Sequence, residues 1–143
     1  MSYTIPQLLS MSSATLDDLF RQSPTGEIPN GEAKGTAIIS PGTAYSEEVA
    51  HFINHFAWQG KNFDAASGTL VNRILPFGLN AILAKVYKGQ SWLDQKECIV
   101  LDYSSTSLIA HWIRDEVRLI GPQMYLGLVY WDKSKLIHFS LQF

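Results

Sequence analysis

The chain has 143 residues, 46% of them hydrophobic and 12% aromatic, with a formal net charge of −2. A single domain with a sizeable core is expected at this length. Interspersed charge excludes a basic nucleic-acid face, and no apolar run approaches the ~20 residues of a membrane span. The lone Cys98 excludes an intrachain disulfide and favours a reducing, cytoplasmic setting.

Met1-Ser2-Tyr3-Thr4 has neither a basic nor an apolar signal region, so no secretory leader is expected. Helix signals run from Ile5 to Gln22: Pro6 suits a first helical position, Thr15 is a candidate N-cap, and Leu16, Leu19 and Phe20 form an apolar edge. Ser23-Pro24-Thr25-Gly26 and Pro29-Asn30-Gly31 break the chain. A first strand is expected over Glu32 to Ser40, stopped by Pro41-Gly42. Ser46 then caps a predicted helix in which Val49, Phe52, Ile53 and Phe56 share one face.

The rest of the chain reads as strands and short turns. Trp58 to Phe63 is extended and leads into the turn Asp64 to Gly68. Thr69 to Leu75 is a strand stopped by Pro76 and Gly78. Leu79 to Lys88 fits a helix or a strand, and the flanking Gly78 and Gly89 favour the strand. Gln90 to Gln95 is a connection with Trp92 packed. Lys96 to Tyr103 is a strand, Ser104 to Ser107 a polar turn, and Ala110 to Leu119 a strand ended by Gly121-Pro122. Met124 to Tyr130 and Ile137 to Phe143 alternate with period two around the turn Asp132-Lys133-Ser134, a hairpin pattern. The final Phe143 is expected to be tied into the sheet. Eight strands without long intervening helices exclude parallel crossovers for most pairs. The expected fold is mainly β: an eight-stranded antiparallel barrel with one or two short helices on its N-terminal side.

Several stretches resemble a known family. Trp58-Gln59-Gly60-Lys61-Asn62-Phe63 resembles the Trp-x-Gly-Lys-x-Phe segment of the bacterial GXWXG-type lipocalin-like proteins. Leu101-Asp102-Tyr103, Ile113-Arg114-Asp115-Glu116-Val117-Arg118 and Leu126-Gly127-Leu128-Val129 resemble further segments of that family in the same order. Phe56 stands where the family name places its first Gly, and Val117 replaces a Phe. The resemblance spans roughly Phe56 to Tyr130. It implies a lipocalin-like, calycin-type barrel of unsettled biochemical role, and supplies no catalytic residues.

Candidate chemistry is sparse. His51 and His55 have the spacing of helical metal ligands but lack the Glu of H-E-x-x-H and a third ligand, so no metal is expected. Phosphate-loop, dinucleotide and serine-hydrolase motifs are absent, and no cofactor is expected. Cys98, in an apolar strand, reads as inert.

The strand around Asp115 is more informative. His111, Ile113, Asp115, Val117 and Leu119 share the apolar parity, so Asp115 is expected inside, where a carboxylate needs a partner. Arg73, Lys85 and His138 are candidates to reach it across the barrel. Gly127, in mid-strand, implies a bulge, a bend or a close approach to the backbone.

The leading expectation is binding of a small hydrophobic or amphipathic molecule, such as a fatty acid or isoprenoid, in the lumen. Its expected site comprises Trp58, Lys61, Arg73, Tyr103, Arg114, Asp115, Tyr125 and His138. One alternative is a barrel enzyme that uses Asp115 as base for isomerisation, cyclisation or dehydration. Another is a packed barrel that acts only through its surface.

Overall fold

The computed structural model describes residues 2–38, 61–74, 79–104 and 113–143, with backbone alone for 72–74 and 79–83. The expected helix from Ser46 to Phe56, the pair His51 and His55, Trp58 and the turn after Ser104 lie outside the described residues.

Two short helices, α1 (Ile5–Leu9) and α2 (Ser13–Gln22), precede eight strands: β1 (Gly31–Ile38), β2 (Lys61–Asp64), β3 (Thr69–Ile74), β4 (Leu79–Gln90), β5 (Glu97–Asp102), β6 (Ile113–Gly121), β7 (Met124–Trp131) and β8 (Ser134–Gln142). The strands close into a barrel in sequence order, and every pairing is antiparallel, including β1 with β8. The stretch Leu79 to Lys88 is a strand as expected, and it runs on through Gly89 to Gln90.

The helical region differs from expectation in its caps. Thr4 caps α1 in a reciprocal capping box with Gln7, and Ser12, not Thr15, caps α2 by accepting from the Thr15 amide at 3.1 Å. Thr15 stands three residues inside the cap, where its amide is one of the orphan donors that a cap must satisfy.

The turns follow their residues. Asp64 Oδ1 accepts from the amides of Ala66 and Ser67, closing the β2–β3 turn. The β7–β8 turn is tighter than expected: Trp131 pairs with Ser134, and both central residues, Asp132 and Lys133, have positive φ (46° and 70°). Two left-handed residues in succession define the turn that matches strand twist.

Strand alternation divides the core in two. Inside the barrel pack Phe63, Leu70, Ile99, Leu101, Ile113, Val117, Val129, Ile137, Phe139 and Leu141. Outside the wall, Cys98, Val100, Met124, Leu126, Leu128 and Tyr130 pack with Leu8, Leu16 and Phe20 of the two helices. The helices therefore cover one sector of the barrel, and the strands beneath them are buried on both faces.

One end of the lumen is plugged. Phe143 packs edge-on against Phe63 and Tyr125, with ring centroids 5.5 and 5.7 Å apart. Its amide donates to Gln123 at 2.9 Å, so the last residue is held in the sheet as expected. The segment after α2 crosses this end: Leu119 N donates to the Pro24 carbonyl at 3.1 Å, and Tyr125 Oη donates to the Glu27 carbonyl at 2.7 Å. Gly26 makes the crossing possible. Its φ is +73°, and a Cβ there would lie 2.6 Å from Leu119 Cβ.

Candidate functional site

The ends of β1, β3, β5 and β7 and the starts of β2, β4, β6 and β8 lie at the opposite end of the barrel, by the up-and-down topology. Toward that end the lumen carries its polar groups. Lys61 opens β2 and faces inward because it shares parity with Phe63. Its register partner on β1 is Ala33, which leaves room beside the long side chain. Asp115 faces inward from β6 between Ile113 and Val117, flanked by Leu101 on β5 and Val129 on β7. Tyr103 follows β5 directly and is likewise buried.

These three side chains meet. Lys61 Nζ donates to Tyr103 Oη at 3.0 Å, and Tyr103 Oη donates to Asp115 Oδ2 at 3.4 Å. Lys61 Nζ lies 3.8 Å from the same carboxylate oxygen, with both side chains at most 3% exposed. The ammonium also sits 5.6 and 5.8 Å from the ring centres of Tyr103 and Phe139. Asp115 Oδ1, by contrast, is buried with no hydrogen-bond partner among the described residues. A buried carboxylate oxygen without a donor is costly. Ser140 Oγ, outside the wall, also lacks a partner among the described residues, but a neutral hydroxyl costs less than a carboxylate oxygen.

Electrostatics follow from this burial. Desolvation pushes the Asp115 carboxyl up to about 6 against the pull of Lys61 and the Tyr103 hydrogen bond. Desolvation likewise lowers Lys61, and Asp115 opposes it. The two shifts bring the proton affinities of the carboxyl and the amine closer together, the kind of perturbation that acid–base sites show.

The other expected site residues are dispersed. Tyr125 belongs to the lumen but to its plugged end, where its hydroxyl is engaged by Glu27. Arg114 is outside the wall: it donates to Glu116 at 3.1 Å and to the Gln90 carbonyl at 2.7 Å, and stacks 4.3 Å from the centre of the Trp92 ring. Trp92 is 43% exposed rather than packed away, held between Arg114 and Tyr130.

His138 cannot reach Asp115, because it shares parity with Ser140 and points beneath α2. There its Nε2 meets Asp17 Oδ1 at 2.7 Å, and Lys135 joins the same carboxylate. Burial lowers the His138 pKa against the pull of Asp17. Lys85 is exposed, on the outer parity of β4. The Arg73 side chain lies outside the described set. Among the described residues Lys61 is the cation beside Asp115, and neither Lys85 nor His138 takes that place.

Gly127 has its explanation in the lumen. The Phe139 ring lies over it, and a Cβ there would fall 2.2 Å from Phe139 Cζ. The close approach to the backbone is made by the protein's own core. Cys98 is fully buried outside the wall, and burial pushes its thiol up to about 12, which disfavours the nucleophilic thiolate. Among the described residues no group of three His, Cys, Asp or Glu side chains could hold a metal ion, and no helix is long and apolar enough to cross a membrane.

Two outer networks were not anticipated. Arg118 donates twice to Asp94, at 2.7 and 2.8 Å, and to the carbonyls of Phe20, Glu97 and Lys96. Glu116 accepts from Ser91 Oγ, the Trp92 amide and Arg114 Nε. Both tie the wall to the 91–96 connection, and Arg118 also holds the end of α2. Their sequence signal is charge at alternate positions of a strand, which exposed polar faces share.

The architecture defines a class: a mainly β protein with a closed eight-stranded antiparallel barrel and two short N-terminal helices. Comparison with protein-family models and with curated proteins finds no match. Among solved structures, the crystal structure of a protein from Thermomonospora curvata is similar over 93% of this chain and 88% of that one, with a TM-score of 0.67 and 18% identity. At that identity the likeness extends to the fold.

Proposed function

We propose that the barrel binds a small apolar molecule bearing one polar head, with the chain in the lumen and the head at Lys61, Tyr103 and Asp115. The observation that carries this is the buried Asp115 Oδ1, which has no partner among the described residues although Lys61 and Tyr103 meet the other carboxylate oxygen within a largely apolar core. A ligand O–H or N–H would supply the missing donor, while Lys61 would balance an acidic head. Medium-chain alcohols, fatty acids and isoprenoids fit that description. The short motifs between Trp58 and Val129 support placing the barrel among lipocalin-like binders, and the single cysteine supports a reducing compartment.

A second reading, proton-transfer catalysis, draws on a different observation: the carboxyl at about 6 beside an amine whose pKa is also displaced toward neutrality. Asp115 would then be the base and Tyr103 would stabilise developing charge.

Native mass spectrometry of gently purified protein, followed by titration with a fluorescent fatty acid, tests the proposal. The expected result is one bound apolar molecule per chain, weakened about tenfold or more in Asp115→Ala, which removes a charge-assisted hydrogen bond. Turnover of the bound molecule would favour the enzyme. Failure of alcohols, acids and isoprenoids alike to bind the folded protein would defeat both readings and leave a packed barrel that acts through its surface.

A further inference from the structure

We propose that Lys61 forms a reversible imine with apolar aldehydes, so that the lumen is a carbonyl-capturing site as well as a binding one. This rests on the reading of the lumen as an apolar-ligand site and adds a covalent step to it.

Capture needs three things, and the polar cluster has all of them. It needs an amine that is neutral for part of the time. Lys61 is buried among apolar side chains, where desolvation disfavours the ammonium. It also needs a proton carrier beside the nitrogen. Tyr103 Oη is 3.0 Å from Nζ, and Asp115 lies behind it at 3.4 Å. Finally, it needs an acceptor for the hydroxyl that forms when a carbonyl is attacked. Asp115 Oδ1 has no donor among the described residues. None of the exposed lysines, Lys34, Lys85, Lys88, Lys96 and Lys133, is enclosed in this way.

The step balances without an added oxidant or reductant. Neutral Nζ attacks the aldehyde carbon, and the carbonyl π pair moves to oxygen. A proton passes from nitrogen to that oxygen by way of Tyr103 Oη, giving a carbinolamine. Asp115 in its acid form then protonates the carbinolamine hydroxyl. That group leaves as water while the nitrogen lone pair closes the C=N bond. The products are a protonated imine, one water and the Asp115 carboxylate as counter-ion, held where Oδ2 now lies 3.8 Å from Nζ. A long apolar aldehyde is favoured over a short one, because its chain removes the imine from the water that would hydrolyse it.

The test uses the whole chain and decanal at neutral pH. Trapping with cyanoborohydride is followed by intact-mass analysis and peptide mapping. The expected result is one dominant adduct, on Lys61, forming faster than on any exposed lysine. It should be lost in Lys61→Met and slowed about a hundredfold in Asp115→Asn, the range of a lost acid–base group. Mapping of the unaltered protein requires no variant to fold.

Decanol, which has the same chain but no carbonyl, serves as the binding control. If decanol binds and decanal labels only exposed lysines, the imine proposal is overturned and the binding reading stands. If neither decanol nor decanal engages the lumen, both fall.

Discussion

The two faces of the barrel wall treat buried charge in opposite ways. Outside, beneath α2 and the 91–96 connection, Arg118 makes five hydrogen bonds and Glu116 accepts three. Each joins the wall to a separate segment, so these charges act as staples. Inside, among the described residues, Lys61, Tyr103 and Asp115 join β2, the end of β5 and β6, which the ladder already holds in one sheet, and they leave a carboxylate oxygen unsatisfied. A satisfied buried network rigidifies a fold, whereas an unsatisfied one among apolar side chains points to a missing partner. The difference separates structural ion pairs from a candidate site more sharply than burial or charge alone, since Arg118 and Asp115 are equally hidden at 1% exposure.

The largest effect expected from breaking this contrast is on the outer face. Arg118→Ala strands the Asp94 carboxylate and three carbonyls and uncovers the Phe20 ring, over which the guanidinium lies 4.4 Å from the centre. Loss of one partner of a buried ion pair costs about 3–5 kcal/mol. Urea denaturation should show a loss of that size, with α2 becoming exchange-labile. A loss below about 1 kcal/mol would mean that the network does not staple the helix.

The inner face should respond to shape before charge. Phe139→Ala opens a cavity where a fully buried ring stood, at about 3–5 kcal/mol. Gly127→Ala drives a methyl into the same ring and should cost about 1–3 kcal/mol by overpacking. Since the two positions share one contact, the double variant Gly127→Ala with Phe139→Leu should be more stable than the sum of the two single losses predicts. Strict additivity would count against the ring lying over Gly127.

Much of this was legible in the sequence, and the illegible parts have physical reasons. Period-two alternation and turn chemistry specified eight strands, their antiparallel order and the inward parity of Asp115, Phe139 and Leu141. Alternation alone does not tell what covers the other face. In β7 the seven residues Met124 to Tyr130 are all buried, Tyr125, Gly127 and Val129 toward the lumen and Met124, Leu126, Leu128 and Tyr130 beneath the helices. His138 and Arg114 were misplaced for that reason: a polar residue under a helix or a connection looks like a polar residue in water or in a lumen.

Lys61 and Asp115 were each singled out, but not as partners. Both carry charge on the apolar parity of their strands, Lys61 beside Phe63 and Asp115 between Ile113 and Val117. Two such misfits in one small barrel are the signal that could have paired them, because each alone is costly to bury.

The finest distinction between the faces lies in pH dependence. Asp115 has its folded pKa raised, to about 6 from an ordinary carboxylate value of 3.8. Between those values the folded chain holds a proton that the unfolded chain has lost. The contribution of Asp115 is therefore fully present below about pH 4 and declines as pH rises through 6. Outside the wall, Asp94 behaves oppositely: the Arg118 hydrogen bonds hold its carboxyl below the usual range against the cost of burial. Its contribution is present above that range and is lost as pH falls.

Other titrating groups, His138 among them, shape the absolute curve, so the informative quantity is a difference. Stability of the unaltered protein minus that of Asp115→Asn, measured by urea titration from pH 4 to pH 7, should fall by an amount on the order of 1–3 kcal/mol. The corresponding difference for Asp94→Asn should change sign of slope and lie at lower pH. Parallel curves for the unaltered protein and Asp115→Asn would mean that the carboxyl ionises normally, and the lumen would then hold an ordinary ion pair like those outside it.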